Sequence, residues 1–162
     1  MKLEFYVNNQ QVSLEIEDNE MLVDVLRERL GLTGTKISCR EGECGSCTVW
    51  LDEKPVNSCI LPAAKAQGRH VITIEGLGNL ESPHIVQEQI ARFGATQCGY
   101  CTPGYVMAAA ALLRDHPHAS HDEIMQGLSG NLCRCTGYTR IIAAVESLVD
   151  SSVEIPLPKE LR

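Results

Sequence analysis

No run of about 18 apolar residues occurs anywhere in the chain, which excludes a membrane-spanning helix. Clustered lysine and arginine are also lacking. The 14 basic residues stand against 21 acidic ones, for a formal charge of −7, the wrong balance for a nucleic-acid partner. No GxGxxG follows a strand-like segment and no phosphate-binding loop occurs, so neither a dinucleotide fold nor a nucleotide cradle is expected. Ser-His-Asp and paired-carboxylate arrangements are missing as well, which leaves the chain without apparatus for substrate chemistry. Internal repeats and low-complexity tracts are absent. The opening MKLEFYVNNQQ alternates like a strand and holds no signal-peptide core.

What remains is a sequence of 162 residues, 44% hydrophobic, enough for one or two domains with real cores. The expected location is the cytoplasm, where thiols stay reduced and eight cysteines serve as ligands rather than disulfides. Those cysteines fall into two groups. Cys39, Cys44, Cys47 and Cys59 lie in the first half; Cys98, Cys101, Cys133 and Cys135 lie in the second. Four and four suggests two metal centres, each with a complete ligand set.

The first half reads as mixed α/β. Leu3, Phe5 and Val7, then Val12, Leu14 and Ile16, alternate with polar residues around Asn8-Asn9-Gln10, as in a strand, a turn and a strand. Asp18-Asn19-Glu20 offers cap residues before a helix carrying Leu22, Val25, Leu26 and Leu30 on one face, stopped by Gly31. After a glycine-rich loop, strands are expected at 48–51 and 71–74. The second half changes to a period of about 3.6. Helices are predicted to open at Ser82-Pro83, at Thr102-Pro103, at the Ser120–Glu123 capping box and after Tyr138. That pattern makes an antiparallel four-helix bundle. The domains are expected at 1–76 and 77–150, with 151–162 as a C-terminal arm. The sheet, helix and four cysteines of the first unit are all local, so it is expected to fold by itself. The histidines at 70, 84, 116, 118 and 121 fit no ligand pattern and read as surface residues.

Cys39, Cys44 and Cys47 with Cys59 downstream have the C-x4-C-x2-C…C spacing of plant-type [2Fe–2S] proteins. A short loop around two irons brings its backbone close to the cluster, and Gly42 and Gly45 permit that approach. Structural zinc is the plain alternative, but zinc sites favour paired knuckles over three cysteines in one loop. The second group is less decisive by spacing. A CxxC before a helix and a CxC between two later helices would suit zinc or iron–sulfur equally.

The stretches GECGSC, QCGYCTPG and GNLCRCTGY, in this order, resemble the small iron–sulfur subunit of molybdenum hydroxylases, the xanthine dehydrogenase/aldehyde oxidase family. The resemblance covers residues 1–150 and departs at no cysteine. It implies an α+β fold, an N-terminal β-grasp, ferredoxin-like domain followed by a four-helix bundle, with one [2Fe–2S] cluster in each. It assigns Cys39, Cys44, Cys47 and Cys59 to a distal cluster near a flavin, and Cys98, Cys101, Cys133 and Cys135 to a proximal cluster near molybdenum. It also implies molybdopterin contacts at Gln97 and Cys135. The implied role is electron transfer within a molybdopterin-dependent oxidoreductase. Molybdopterin would sit on a large partner subunit and FAD on a medium one, in a hetero-oligomer such as a dimer of heterotrimers. Two readings from other classes stand beside it: a free-standing ferredoxin, for which an appended bundle with a second cluster has no use, and a colourless zinc scaffold.

Overall fold

The computed structural model describes residues 1–153. All but the first three residues of the expected arm at 151–162 therefore lie outside the described residues. Strands β1 (Lys2–Val7) and β2 (Gln10–Glu15) form a hairpin pairing Leu3 with Leu14 and Phe5 with Val12. Asn8 and Asn9 turn it at φ +47° and +67°, the left-handed pair that closes a tight hairpin with the twist of its strands. Strands β3 (Thr48–Leu51), β4 (Lys54–Asn57) and β5 (His70–Ile72) complete a five-stranded sheet in the order β2-β1-β5-β3-β4. Only β1 and β5 run parallel. With a helix packed on one face, this is the β-grasp arrangement.

That helix departs from its expected form. Leu22–Asp24 (α1) is helical for a single turn and continues as a π-turn over Val25–Arg29, closed by Leu30 N–H on Val25 O at 3.1 Å. Its cap is Met21, which makes no side-chain bond, in place of Asp18-Asn19-Glu20. The wider turn still buries Leu22, Val25 and Leu26 against Leu3, Phe5, Val49, Leu51 and Val71.

Past a single turn at Ile74–Leu77 (α2), the described residues form four further helices: α3 (Ile85–Arg92), α4 (Thr102–Asp115), α5 (His121–Gly127) and α6 (Thr139–Glu146). Helix α3 begins later than Ser82-Pro83, because His84 caps it: its Nδ1 accepts from Val86 N–H at 3.3 Å, and Gln87 Oε1 accepts from His84 N–H at 2.8 Å. His84 is accordingly buried and not a surface residue. His70 is half-buried and stacks on Tyr6 with ring centroids 4.6 Å apart. The other three histidines are exposed. Helix α4 is the axis of the bundle, touching α3 and α5, while α6 closes against both of those.

The two halves share a core. Strand β3 is buried on both faces. Val49 and Leu51 face α1, whereas Trp50, with Ile72 of β5, belongs to the cluster formed by Tyr105, Val106, Ala109, Ala110 and Leu113 of α4. The indole Nε1–H donates to Met107 O at 2.9 Å. Among the described residues, no helix is long and apolar enough to cross a membrane.

Candidate metal centres

All eight cysteines are free thiols. The loop from Ser38 to Ser46 has no regular secondary structure, and its path is set by residues in the left-handed region: Arg40 at φ +57°, Gly42 at +78° and Gly45 at +69°. A chain bent this way turns its N–H groups inward. Glu41 N–H and Cys44 N–H both point at Cys39 Sγ, at 3.4 and 3.5 Å. The Glu41 N–H in particular holds the Cys39 thiol down at about 6. Cys47 and Cys59 lie deeper, beneath Val23, and burial pushes Cys47 up to about 12.

The second set repeats that division. Cys98 and Cys101 sit in the turn that opens α4, and Thr102-Pro103 occupies its first helical positions as predicted. Cys133 and Cys135 follow the end of α5, and Tyr138 at φ +67° ends the segment before α6. Tyr100 N–H holds the Cys98 thiol below its ordinary value. Burial pushes Cys101 up to about 12. Burial raises Cys133 most, but hydrogen bonds from Thr136, whose N–H lies 3.3 Å from Cys133 Sγ, from Cys135 N–H and from Cys101 together leave the thiol lowered.

The thiols meet in twos. Cys39 lies within hydrogen-bonding reach of Cys44, Cys47 of Cys59, and Cys101 of Cys133. Cys98 Sγ and Cys135 Sγ are 3.5 Å apart. No three His, Cys, Asp or Glu side chains among the described residues are grouped as a single-ion site would need. Each set thus has one deeper pair and one more exposed pair. That matches a cluster of two irons, each taking two thiolates. Burial that resists ionisation of Cys47 and Cys101 is overcome when a thiol coordinates a metal, because coordination deprotonates it outright.

The two sets also face each other. A cleft of about 380 Å³ is lined by Cys98, Cys101, Cys133 and Cys135, and by Cys44 and Ser46 of the first loop. Cys44 O accepts from Leu132 N–H at 3.0 Å, and Tyr100 Oη donates to Ile37 O at 2.5 Å. Gln97 is exposed and adjoins Cys98 in the chain, while Cys135 and Tyr138, also exposed, line the cleft. The inter-loop contacts of Asn131, Leu132, Tyr100 and Tyr105 were not foreseen from sequence. Asn131 and Leu132 stand inside the GNLCRCTGY stretch, and that adjacency is the one signal that pointed to them.

A β-grasp domain and a helical bundle, each presenting four paired thiols, define an iron–sulfur electron-transfer protein. Residues 5–71 match the family described as "2Fe-2S iron-sulfur cluster binding domain", and residues 73–146 match "[2Fe-2S] binding domain". The nicotinate dehydrogenase small FeS subunit of Eubacterium barkeri is 45% identical, over 89% of this chain and 92% of that one. A crystal structure of quinoline 2-oxidoreductase from Pseudomonas putida 86 superposes with a TM-score of 0.88 at 42% identity, covering 94% of this chain and 93% of that one. Xanthine dehydrogenase of Emericella nidulans is 44% identical over 90% of this chain, which spans only 11% of that protein. The chain belongs to the small [2Fe–2S] iron–sulfur subunits of the molybdenum hydroxylase (xanthine dehydrogenase/aldehyde oxidase) family.

Proposed function

We propose that this chain is the electron relay of a multi-subunit molybdenum hydroxylase or dehydrogenase, with Cys98, Cys101, Cys133 and Cys135 holding a proximal [2Fe–2S] cluster and Cys39, Cys44, Cys47 and Cys59 a distal one. When bound, the clusters pass single electrons from a molybdopterin centre on a large partner subunit towards FAD on a medium one. The observation that carries this reading is the single cleft onto which Cys44 opens together with all four cysteines of the second set.

The residues of this chain do three things in that scheme. Thiolates of each deeper pair anchor, while N–H groups of Glu41, Cys44, Tyr100 and Thr136 stabilise negative charge on sulfur and so tune potential. The β-grasp and bundle cores hold the loops apart from water on their inner sides. The exposed rim at Gln97, Cys98 and Cys135 meets the pterin, with Gln97 and Cys135 touching it. A division at residues 76/77, an arm at 151–162 reaching a partner, and a cytoplasmic hetero-oligomer such as a dimer of heterotrimers belong to the same proposal.

The test is a pair of serine variants in the reconstituted complex. Loaded protein should contain about four irons and four sulfides per chain. Serine oxygen is a harder, poorer iron ligand than thiolate. In Cys135→Ser, substrate should still be turned over once but flavin reduction should slow by orders of magnitude, with the distal spectrum intact. In Cys44→Ser, proximal reduction should persist while flavin stays oxidised. Blocked proximal reduction in Cys44→Ser would reverse the order of the relay. Full turnover in Cys135→Ser would remove the helical half from the path.

A further inference from the structure

One residue that the thiol chemistry leaves unused sits where the two halves touch most closely. Asn131 is 6% exposed, two residues before Cys133. Its Nδ2 donates to Gly45 O at 3.1 Å, and its own N–H donates to Leu128 O at 3.0 Å. The buried Tyr105 hydroxyl donates to its carbonyl. The next residue, Leu132, gives its N–H to Cys44 O at 3.0 Å. A continuous route of bonds between the two cysteine sets therefore runs from Cys44 across that hydrogen bond to Leu132 and Cys133.

Leu132 is itself 50% exposed, and hydrogen bonds of surface loops open more readily than those of a core. The Asn131 amide is placed to oppose that opening. It is not needed to satisfy Gly45 O, because the Thr48 hydroxyl already donates there at 2.7 Å and Thr48 N–H at 3.2 Å. The surrounding backbones meet with no side chain between them. A Cβ at Gly45 would stand 2.5 Å from Asn131 Nδ2 and 2.6 Å from Gly130 O, and a Cβ at Gly104 in α4 would overlap Gly45 O.

We propose that Asn131 is a positioning residue, whose amide on Gly45 locks the two cysteine loops at one spacing by holding the Leu132 N–H on Cys44 O. The inference rests on the relay reading above, in which one electron crosses this gap with no bond made or broken. Transfer between two fixed centres falls steeply with their separation, so a loop that breathes would slow it.

The experiment measures amide hydrogen exchange and the magnetic interaction of the two reduced clusters in the loaded full-length chain. In Asn131→Ala, and in the donor-less isostere Asn131→Asp, exchange across residues 129–133 should quicken about fivefold. That ratio is the equivalent of about 1 kcal/mol, the net worth of one hydrogen bond. Exchange in α6 should not change, and the interaction between the two electron paramagnetic resonance signals should weaken while each cluster keeps its own spectrum. Gly104→Ala should give the same signature, although alanine is the better helix former. Wild-type exchange and interaction in the loaded Asn131 and Gly104 variants would overturn the proposal. So would an Asn131→Ala chain that cannot hold iron, since the amide would then support the loop and not the spacing. Loss of the interaction in Tyr100→Phe alone would assign the role to the other strap. A wild-type chain with no pair of iron–sulfur signals would sink the relay reading, and the exchange rates would still decide the clamp.

Discussion

Replacing Trp50 by phenylalanine tests whether the two halves are one cooperative unit. The indole is wholly buried, rises from β3 of the β-grasp half, and lies in the core of the bundle half. The substitution removes the Nε1–H to Met107 O bond, worth about 1 kcal/mol net. The smaller ring leaves a void on the order of 1 kcal/mol. The Arg114 guanidinium, 5.6 Å above the ring, loses part of an attraction of about 0.5–1 kcal/mol. The sum is about 2 kcal/mol, and with a urea slope of roughly 1–3 kcal/mol/M the unfolding midpoint should fall by about 1 M. Anaerobic urea titrations would follow far-ultraviolet circular dichroism for the fold and visible dichroism for the clusters. Both signals should shift together, because the ring is attached to one half and packed in the other. An unmoved midpoint, or a fall in the far-ultraviolet transition with the visible transition unchanged, would refute the shared core.

Gly45→Ala should expel iron from the first centre, since φ of +69° is a left-handed conformation costing a non-glycine residue about 1–2 kcal/mol, and the added methyl meets Asn131 and Gly130. Iron analysis should show about half the wild-type content, and full loading would show that the loop relaxes freely. His121 hydrogen-bonds Glu146, and that carboxylate raises its pKa above 6.5. Its contribution to the α5–α6 contact is therefore fully present below the unfolded value and fades as pH rises through the folded one. An NMR titration should place the imidazole above 6.5 and show Glu146→Gln lowering it; an unshifted midpoint in both would remove the ion pair from the account.

Much of this architecture could be read from local rules. Cysteine spacing located both loops, the Ser120–Glu123 capping box and Thr102-Pro103 placed α5 and α4, and Asn8-Asn9 marked the first hairpin. Three features were hidden for physical reasons. Strand β4 carries Pro55 and follows a turn at Asp52-Glu53, where both residues adopt positive φ without the glycine that normally advertises such a turn. Proline is tolerated there because β4 is an edge strand, a property of sheet order and not of sequence. The π-turn keeps the same apolar residues facing inward as an α-helix of that length would, so periodicity does not separate them. His84 carries no mark that distinguishes a cap from a solvated ring.

The contact between halves was hidden for a different reason. Val49-Trp50-Leu51, after the buried Thr48, is apolar at successive positions, the pattern of a strand buried on both faces. By itself it does not say what covers the second face. The expectation that residues 1–76 fold alone rests on the locality of their sheet, helix and cysteines, and the second face of β3 is what bears on it. A fragment ending there would leave Trp50 and Ile72 in water, although both are nearly inaccessible in the whole chain. The same α4 surface that covers them brings Gly104 onto Gly45, and with it Cys101 towards Cys44. Packing of the indole and spacing of the thiols are thus two consequences of one interface. A change that loosens the core at Trp50 is therefore expected to reach the cluster loops, whereas one at Asn131 acts on the loops and leaves the core in place.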